Sequence, residues 1–191
     1  MHFSSILVLA APLAALAAAL EAPIPGYRVE EMQWEVDVGH GQTESLNGTV
    51  EEVFARILEV NPEFQLAPAP APAPGAAEAR GLQPEKRGKL VCGGFPRGSV
   101  LYLNQGVNYL RGVPGRPGNG PGPGACGRVS CSYNSAIWWC NDNTFFKQLD
   151  SYDQIANSAK NTINKCAVPG MVSGQNFEDG KWNTIVRDGR C

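Results

Sequence analysis

The chain has 191 residues, of which 22 are Gly and 15 are Pro, and its mean hydropathy is -0.21. This composition excludes a polytopic membrane protein, a long coiled coil and a helical repeat array. Residues 1–87 carry 12 acidic and 5 basic side chains, whereas residues 88–191 carry 6 and 11. Both histidines lie in the acidic part and all six cysteines lie in the basic part. We therefore expect two chemically different portions.

The N-terminus has the features of a secretory signal peptide. Residues 6–20 form an uncharged run rich in Ala and Leu that is too short to span a membrane comfortably. Small residues at positions 17 and 19 predict cleavage after Ala19, with cleavage after Ala22 as the alternative. We expect residues 1–19 to be removed and the protein to be secreted and extracellular; a buried N-terminal helix is the other interpretation.

Residues 20–66 are interpreted as an acidic pro-segment. Apolar side chains alternate from position 32 to 38, which is the period of a half-buried strand. Thr49 and Glu52 then form a capping box, and apolar residues at helical spacing predict a helix that ends before Asn61. One strand and one helix cannot bury enough apolar surface to fold alone.

Residues 67–87 alternate Ala and Pro and then continue in small residues, a composition typical of an extended linker. The linker ends at Lys86-Arg87, where we expect processing by a kexin-type protease, although an ordinary basic pair on a tether is the alternative. The predicted product is a mature domain of residues 88–191. Asn47 begins an Asn-Gly-Thr sequon, so the pro-segment is a candidate glycoprotein segment.

The six cysteines of the mature domain predict three disulfides, for which 15 connectivities are possible. Zinc binding is disfavoured because residues 88–191 contain neither a CxxC pair nor a histidine, and we expect no metal. A bond between Cys131 and Cys140 would need a turn at Ser135-Ala136, which suits a primed turn poorly, so longer-range pairing is expected. The predicted disulfide-bonded residues are Cys92, Cys126, Cys131, Cys140, Cys166 and Cys191.

The sequence of the mature domain predicts the element order helix, strand, strand, helix, strand, strand. Helices are predicted over 99–111, with Gly106 as a weakness, and from the Ser151 cap to Cys166. The strands are predicted at 127–133 and 136–141 around Asn134-Ser135, and on either side of Asp179-Gly180. Between them, residues 112–124 are expected to be an irregular surface loop that is mobile unless Cys126 anchors it. The predicted fold is α+β: a small disulfide-rich sandwich in which an antiparallel sheet of about four strands carries two helices on one face.

The sequence resembles known proteins in the acidic stretch from Asn47 to Glu52, in the Lys86-Arg87 site, and above all in the run CGRVSCSYNSAIWWCND from Cys126 to Asp142. These features resemble small secreted cysteine-rich proteins of filamentous ascomycete fungi, many of which are candidate effectors. More distantly, the element order and the cysteines near the strand pair resemble the necrosis-inducing-factor-like effector family and the virally encoded fungal killer toxin with an α/β-sandwich. The resemblance carries over no catalytic residue.

The residue types of the mature domain argue against catalysis. Without histidine, residues 88–191 cannot form a Ser-His-Asp or Cys-His device or a histidine-assisted ribonuclease. Among the carboxylates, Glu178 and Asp179 fall in a predicted tight turn, and Asp142, Asp150 and Asp153 look like strand-end and helix-start residues. No Gly-Lys-Ser/Thr follows the glycine-rich loop, so no nucleotide or other cofactor is expected. We predict that the protein is not an enzyme.

Binding is the expected activity, since a basic disulfide-stapled domain favours anionic surfaces; the alternative is that the charge simply makes the surface soluble. The cations are scattered, so nucleic acid is not expected. Trp138 and Trp139 are consecutive, so on a strand one indole faces the core and the other is a candidate exposed anchor for sugar or protein, unless a packed helix covers it. We expect a secreted effector-like or killer-toxin-like protein with no transmembrane segment in its mature form, acting on an unknown protein or glycan target at a host or competitor cell surface. A cell-wall carbohydrate-binding module and, less favoured, a small secreted hydrolase are the alternatives.

Overall fold

The structure is a computed structural model that describes residues 20–39, 41–65 and 88–191. The predicted signal peptide, residues 1–19, and the predicted linker with Lys86-Arg87 lie outside the described residues. The described chain is an α+β protein with three helices, a mixed main sheet and three disulfides. The predicted fold class is confirmed at this level.

The elements alternate short strands with three longer helices. In chain order they are β1 Arg28–Glu30, β2 Gln33–Gly39, β3 Gln42–Asn47, α1 Val50–Val60, β4 Leu90–Cys92, β5 Gly98–Ser99, α2 Val100–Gly112, β6 Gly118–Asn119, β7 Ala125–Ser132, β8 Ser135–Asn141, β9 Lys147–Gln148, α3 Tyr152–Cys166, β10 Met171–Val172, β11 Gly174–Glu178 and β12 Trp182–Asp188.

The main sheet has six strands in the order β1-β7-β8-β12-β11-β4. All neighbours are antiparallel except β1 and β7, which run parallel. The expectation of about four strands is therefore wrong. The two additional strands, β1 and β4, have three residues each, which is too short for an alternating pattern to be visible in the sequence. One of them, β1, comes from the acidic portion.

Helices α2 and α3 confirm the two helices predicted in the mature domain, and both pack on the same face of the sheet. Leu103 and Val107 of α2 and Ile155 of α3 belong to one buried cluster with Ile137 and Trp139 of the sheet. The internal glycine of α2 has a packing reason. A Cβ at Gly106 would lie 2.1 Å from Ser130 Oγ, so the absence of a side chain lets α2 approach β7 closely.

The β7–β8 hairpin turns at Tyr133-Asn134, one residue earlier than the sequence suggested. Their φ angles are 46° and 55°, and a two-residue turn of the primed kind requires positive φ at both central positions. An aromatic residue rarely adopts this conformation. Here the ring of Tyr133 stacks on Tyr102, with ring centroids 4.2 Å apart.

The Gly/Pro loop is more ordered than predicted. It contains β6, which pairs with β9, so the expectation that the loop holds no regular structure is wrong. The buried Asn119 amide donates from Nδ2 to the carbonyl oxygens of Ala125 and Trp139, both at 3.1 Å. The Asn119 side chain is thus a second anchor of the loop beside the Cys126 disulfide, because its two hydrogen bonds tie the loop to strands of the main sheet.

All six cysteines are paired, as the sequence predicted. Cys92–Cys166 joins β4 to α3, Cys126–Cys140 joins directly opposite residues of β7 and β8, and Cys131–Cys191 ties down the end of the chain. Cys131 takes the long-range partner, in agreement with the argument against a bond to Cys140. Cross-links of this kind restrict the unfolded chain, and each contributes roughly 2 to 4 kcal/mol to a small domain.

Gly106→Ala is predicted to reverse the usual effect of this substitution. In an exposed helix the change stabilises by about 1 kcal/mol. Here we expect a net loss of about 1 to 3 kcal/mol in the free energy of unfolding, because the new methyl group meets Ser130. Denaturant unfolding measures the effect, with Gln105→Ala, an exposed position on the same helix, as the control. A stabilised Gly106→Ala protein would contradict the close approach of α2 to β7.

Candidate functional site: the face beneath the acidic segment

The acidic segment, defined here as residues 20–65, lies against the free edge of β7. Strand β1 pairs with β7 in parallel, with Arg28 opposite Ala125 and Glu30 opposite Gly127. Helix α1 contacts β7 and α2. The residues that precede β1 pack on the other side of the sheet, against the cluster that contains Trp138. The acidic segment therefore encloses the edge from both faces.

On the helical face, the acidic segment and the mature domain share one hydrophobic core. Trp34 is fully buried and stacks on Tyr152, with ring centroids 4.3 Å apart and an interplanar angle of 7°. Phe54 of α1 contacts Tyr109 of α2 at 5.3 Å between centroids. The buried apolar residues that the acidic segment supplies to this core are Met32, Trp34, Val36, Val38, Val50, Val53 and Ile57.

A close approach locks the acidic segment onto β7 at Gly127. A Cβ built there would lie 2.2 Å from Met32 Sδ and 2.7 Å from its Cγ, so Met32 occupies the space that a side chain would need. Met32 itself is buried. The acidic segment explains glycine at this strand position, since the three atoms nearest to such a Cβ all belong to residues 30 and 32.

The opposite face of the sheet carries a smaller apolar cluster. Its buried members are Cys126, Cys131, Ala136, Trp138, Cys140 and Ile185, and two of the three disulfides lie in it. Ile24, Tyr27 and Val29 of the acidic segment pack against this cluster together with Phe95. Arg187 donates from Nη1 to the carbonyl oxygen of Pro23, which adds a polar contact at the same place.

The structure corrects the expectation of an exposed tryptophan. Trp138 and Trp139 point to opposite faces, as alternation requires, but their exposed fractions are only 3% and 0%. Trp139 lies under the helices. Trp138 lies at the base of a cavity of about 540 Å³ that it lines together with Arg128, residues 20–23 of the acidic segment and residues 187–191 of the chain end. Neither indole is available as a sugar anchor in this state.

Polar contacts reinforce the junction. The carboxylate of Glu51 accepts hydrogen bonds from Ser130 Oγ and, at 3.0 Å, from the backbone N–H of Cys131. This N–H lies on the edge of β7 beyond the stretch that β1 covers. Nearby, burial lowers the pKa of Arg128, and the charges of Glu52 and Glu51 oppose that shift. The charges of both acidic side chains thus favour the charged form of Arg128, and Glu51 also satisfies a donor on the edge of β7.

Two carboxylates of residues 88–191, Asp142 and Glu178, have defined partners on the main sheet. Asp142 accepts a hydrogen bond from Asn183 at 2.7 Å on the face of the Cys126–Cys140 disulfide. Glu178 accepts from Asn176, which also donates to Ser158 of α3 on the helical face. Burial, and secondarily the charge of Asp142, raises the pKa of Tyr27 in the acidic segment. The two carboxylates lie on opposite faces of the sheet.

Exposed aromatic residues form a surface feature that the sequence reasoning missed. We call Leu101, Tyr102 and Tyr133 the aromatic patch: Leu101 is 61% exposed, Tyr133 is 74% exposed, and the ring of Tyr133 stacks on the half-buried Tyr102. Phe145 and Phe146 are exposed on a different loop. The position of Tyr133 next to a predicted hairpin turn could have indicated an exposed ring. Its contact with Tyr102 could not be predicted, because Tyr102 is on a helix 31 positions earlier in the sequence.

The remaining candidate residues have simple placements. Asn47, the predicted glycosylation site, is exposed at the end of β3. Within residues 20–39, 41–65 and 88–191, His, Cys, Asp and Glu form no group of three that could hold a metal ion. No helix in that described part is long and apolar enough to cross a membrane.

Comparisons with family models, curated proteins and solved structures found no match.

Trp34→Ala is predicted to destabilise the whole chain. Removing a fully buried indole together with its stack on Tyr152 costs about 3 to 5 kcal/mol of unfolding free energy. Phe145→Ala is the control, since an exposed ring contributes within about 0.5 kcal/mol. Thermal and denaturant unfolding of the full chain measure both variants. Equal stability of the two would show that Trp34 does not pack in the core.

Proposed function

We propose that the chain is a secreted precursor whose residues 88–191 act outside the cell by binding, without catalysis, as an effector-like or killer-toxin-like protein. The aromatic patch is the observation that supports binding most directly. Large aromatic side chains with a polar tip are enriched at protein interfaces, where they bury much area for little loss of conformational freedom.

The patch is preorganised. Tyr133 is fixed in a left-handed conformation at a tight turn, and its ring is held by Tyr102. Two residues before Tyr133, Cys131 is cross-linked to Cys191. A rigid aromatic surface loses less entropy when a target binds than a flexible one does, so it favours tighter association.

Secretion and processing are supported by chemistry and by resemblance. Three disulfides are compatible with an extracellular, oxidising environment. The N-terminal signal-like run, the Lys86-Arg87 site and the resemblance to fungal secreted cysteine-rich proteins point the same way. The proposed target is a protein or glycan at the surface of a host or competitor cell, and nucleic acid is not expected.

The two alternatives are less well supported by the geometry. A two-carboxylate hydrolase needs both groups on either side of one substrate, and the sheet separates one candidate pair, Asp142 and Glu178. A carbohydrate-binding module based on the tryptophans would need an exposed indole, but Trp139 lies under the helices and Trp138 is covered while the acidic segment is in place. The stacked tyrosines keep glycans among the targets to be tested.

The test uses protein secreted from the full precursor and processed in its linker. We expect it to inhibit growth of competitor fungi or to cause plant cell death, and we expect Tyr102→Ala/Tyr133→Ala to lower its potency at least about tenfold by removing the aromatic anchors. Circular dichroism and thermal unfolding verify that the variant is folded.

Phe145→Ala/Phe146→Ala is the matched control, because it also removes two aromatic rings from the surface, both of them exposed. Pulldown on chitin and glucan separates a glycan target from a protein target. Inactivity of the wild-type protein on a broad panel of cells would contradict the binding function. Loss of activity in the phenylalanine variant alone would place the binding surface at the other loop.

A further inference from the structure

We propose that the acidic segment stays bound to residues 88–191 after the linker is cut, so that the processed protein is a non-covalent complex of two chains. The interaction surface is the enclosed edge of β7, and the partner that fits it is residues 20–65 of the same chain. The proposal depends on the contacts between these two parts and does not depend on what the processed protein binds.

Apolar burial is the first reason. Trp34 and Phe54 of the acidic segment contact Tyr152 and Tyr109 of the mature domain, and these contacts cross the boundary between the two parts. On the other face, Tyr27 lies in the group that covers the Trp138 cluster. Loss of the segment would uncover both faces beside β7 at once. Monomeric proteins rarely expose contiguous apolar surfaces of that kind.

The sheet edge is the second reason. Residues 125–127 of β7 pair with β1, and farther along the same strand the N–H of Cys131 is bound by Glu51. An uncovered edge strand pairs readily with other chains, which native proteins avoid. Gly127 shows that the surface is shaped for this occupant, because the Met32 side chain fills the position of a missing Cβ.

Charge is the third reason. Residues 20–65 carry 10 acidic and 2 basic side chains, a formal charge of -8, whereas residues 88–191 carry a formal charge of +5. Part of this complementarity is local, since Glu51 and Glu52 act on the partly buried Arg128. Opposite charge favours association of the two chains and is strongest at low ionic strength.

The complex would have no covalent link. Every cysteine lies in residues 88–191, and all six are paired there. The two chains are therefore expected to separate in denaturant without any reductant. This property distinguishes retention by packing from an uncut linker, because the uncut chain migrates as one band under the same conditions.

The direct test cuts the folded precursor at a specific-protease site inserted in place of residues 70–76. After complete cleavage, size-exclusion chromatography and native mass spectrometry at micromolar concentration should give one species that contains both chains. Non-reducing denaturing electrophoresis should resolve two bands. Elution of residues 88–191 alone as a folded monomer would overturn the proposal.

A charge variant tests the Glu51 contact. Glu51→Gln should speed the exchange of bound segment with free isotope-labelled segment, followed by native mass spectrometry, and weaken binding about tenfold by removing a charged acceptor. Glu59→Gln is the matched control on the same helix, since Glu59 is paired only with exposed Arg56. Equal affinities of the two variants would contradict the role of Glu51.

A double-mutant cycle tests the approach at Gly127. Gly127→Ala should weaken segment binding roughly tenfold or more, because the methyl group displaces Met32. When Met32→Ala has already removed the colliding atoms, Gly127→Ala should lower the affinity of the segment by a several-fold smaller factor. Independent, additive effects of the two changes would overturn the assigned contact.

Discussion

The fold depends on a hydrophobic core to which the acidic segment and the cysteine-rich portion both contribute. The stack of Trp34 on Tyr152 lies at the centre of this dependence, since each ring comes from a different portion and Trp34 is fully buried. The acidic segment has a hairpin and one helix, which is too little to form a core alone. Residues 88–191 supply the rest of this core, and the acidic segment covers the edge of their sheet.

This division explains where binding surfaces are available. The face around Trp138 is occupied by the N-terminal part of the acidic segment, whereas Leu101 and Tyr133 of the aromatic patch are exposed in the intact chain. Disulfides hold the strands that carry both surfaces, and Cys126–Cys140 and Cys131–Cys191 both involve β7. A target that uses the aromatic patch can therefore meet the protein with the acidic segment still in place.

Local patterns in the sequence predicted the local elements well. The capping box at Thr49 and Glu52, the periodicity of α3 and the Asp179-Gly180 hairpin signal each marked an element that the structure contains. Contacts between distant parts of the chain were not readable. Nothing local shows that Met32 fits over Gly127, that β1 extends the sheet, or that both tryptophans are covered, because these depend on which surfaces meet after folding.

Differential scanning calorimetry of the intact chain tests the shared core most directly. One core predicts a single endotherm whose calorimetric and van't Hoff enthalpies agree, because the acidic segment and residues 88–191 unfold together. Two separate endotherms, the lower one disappearing when residues 20–65 are deleted and the upper one unchanged, would contradict it.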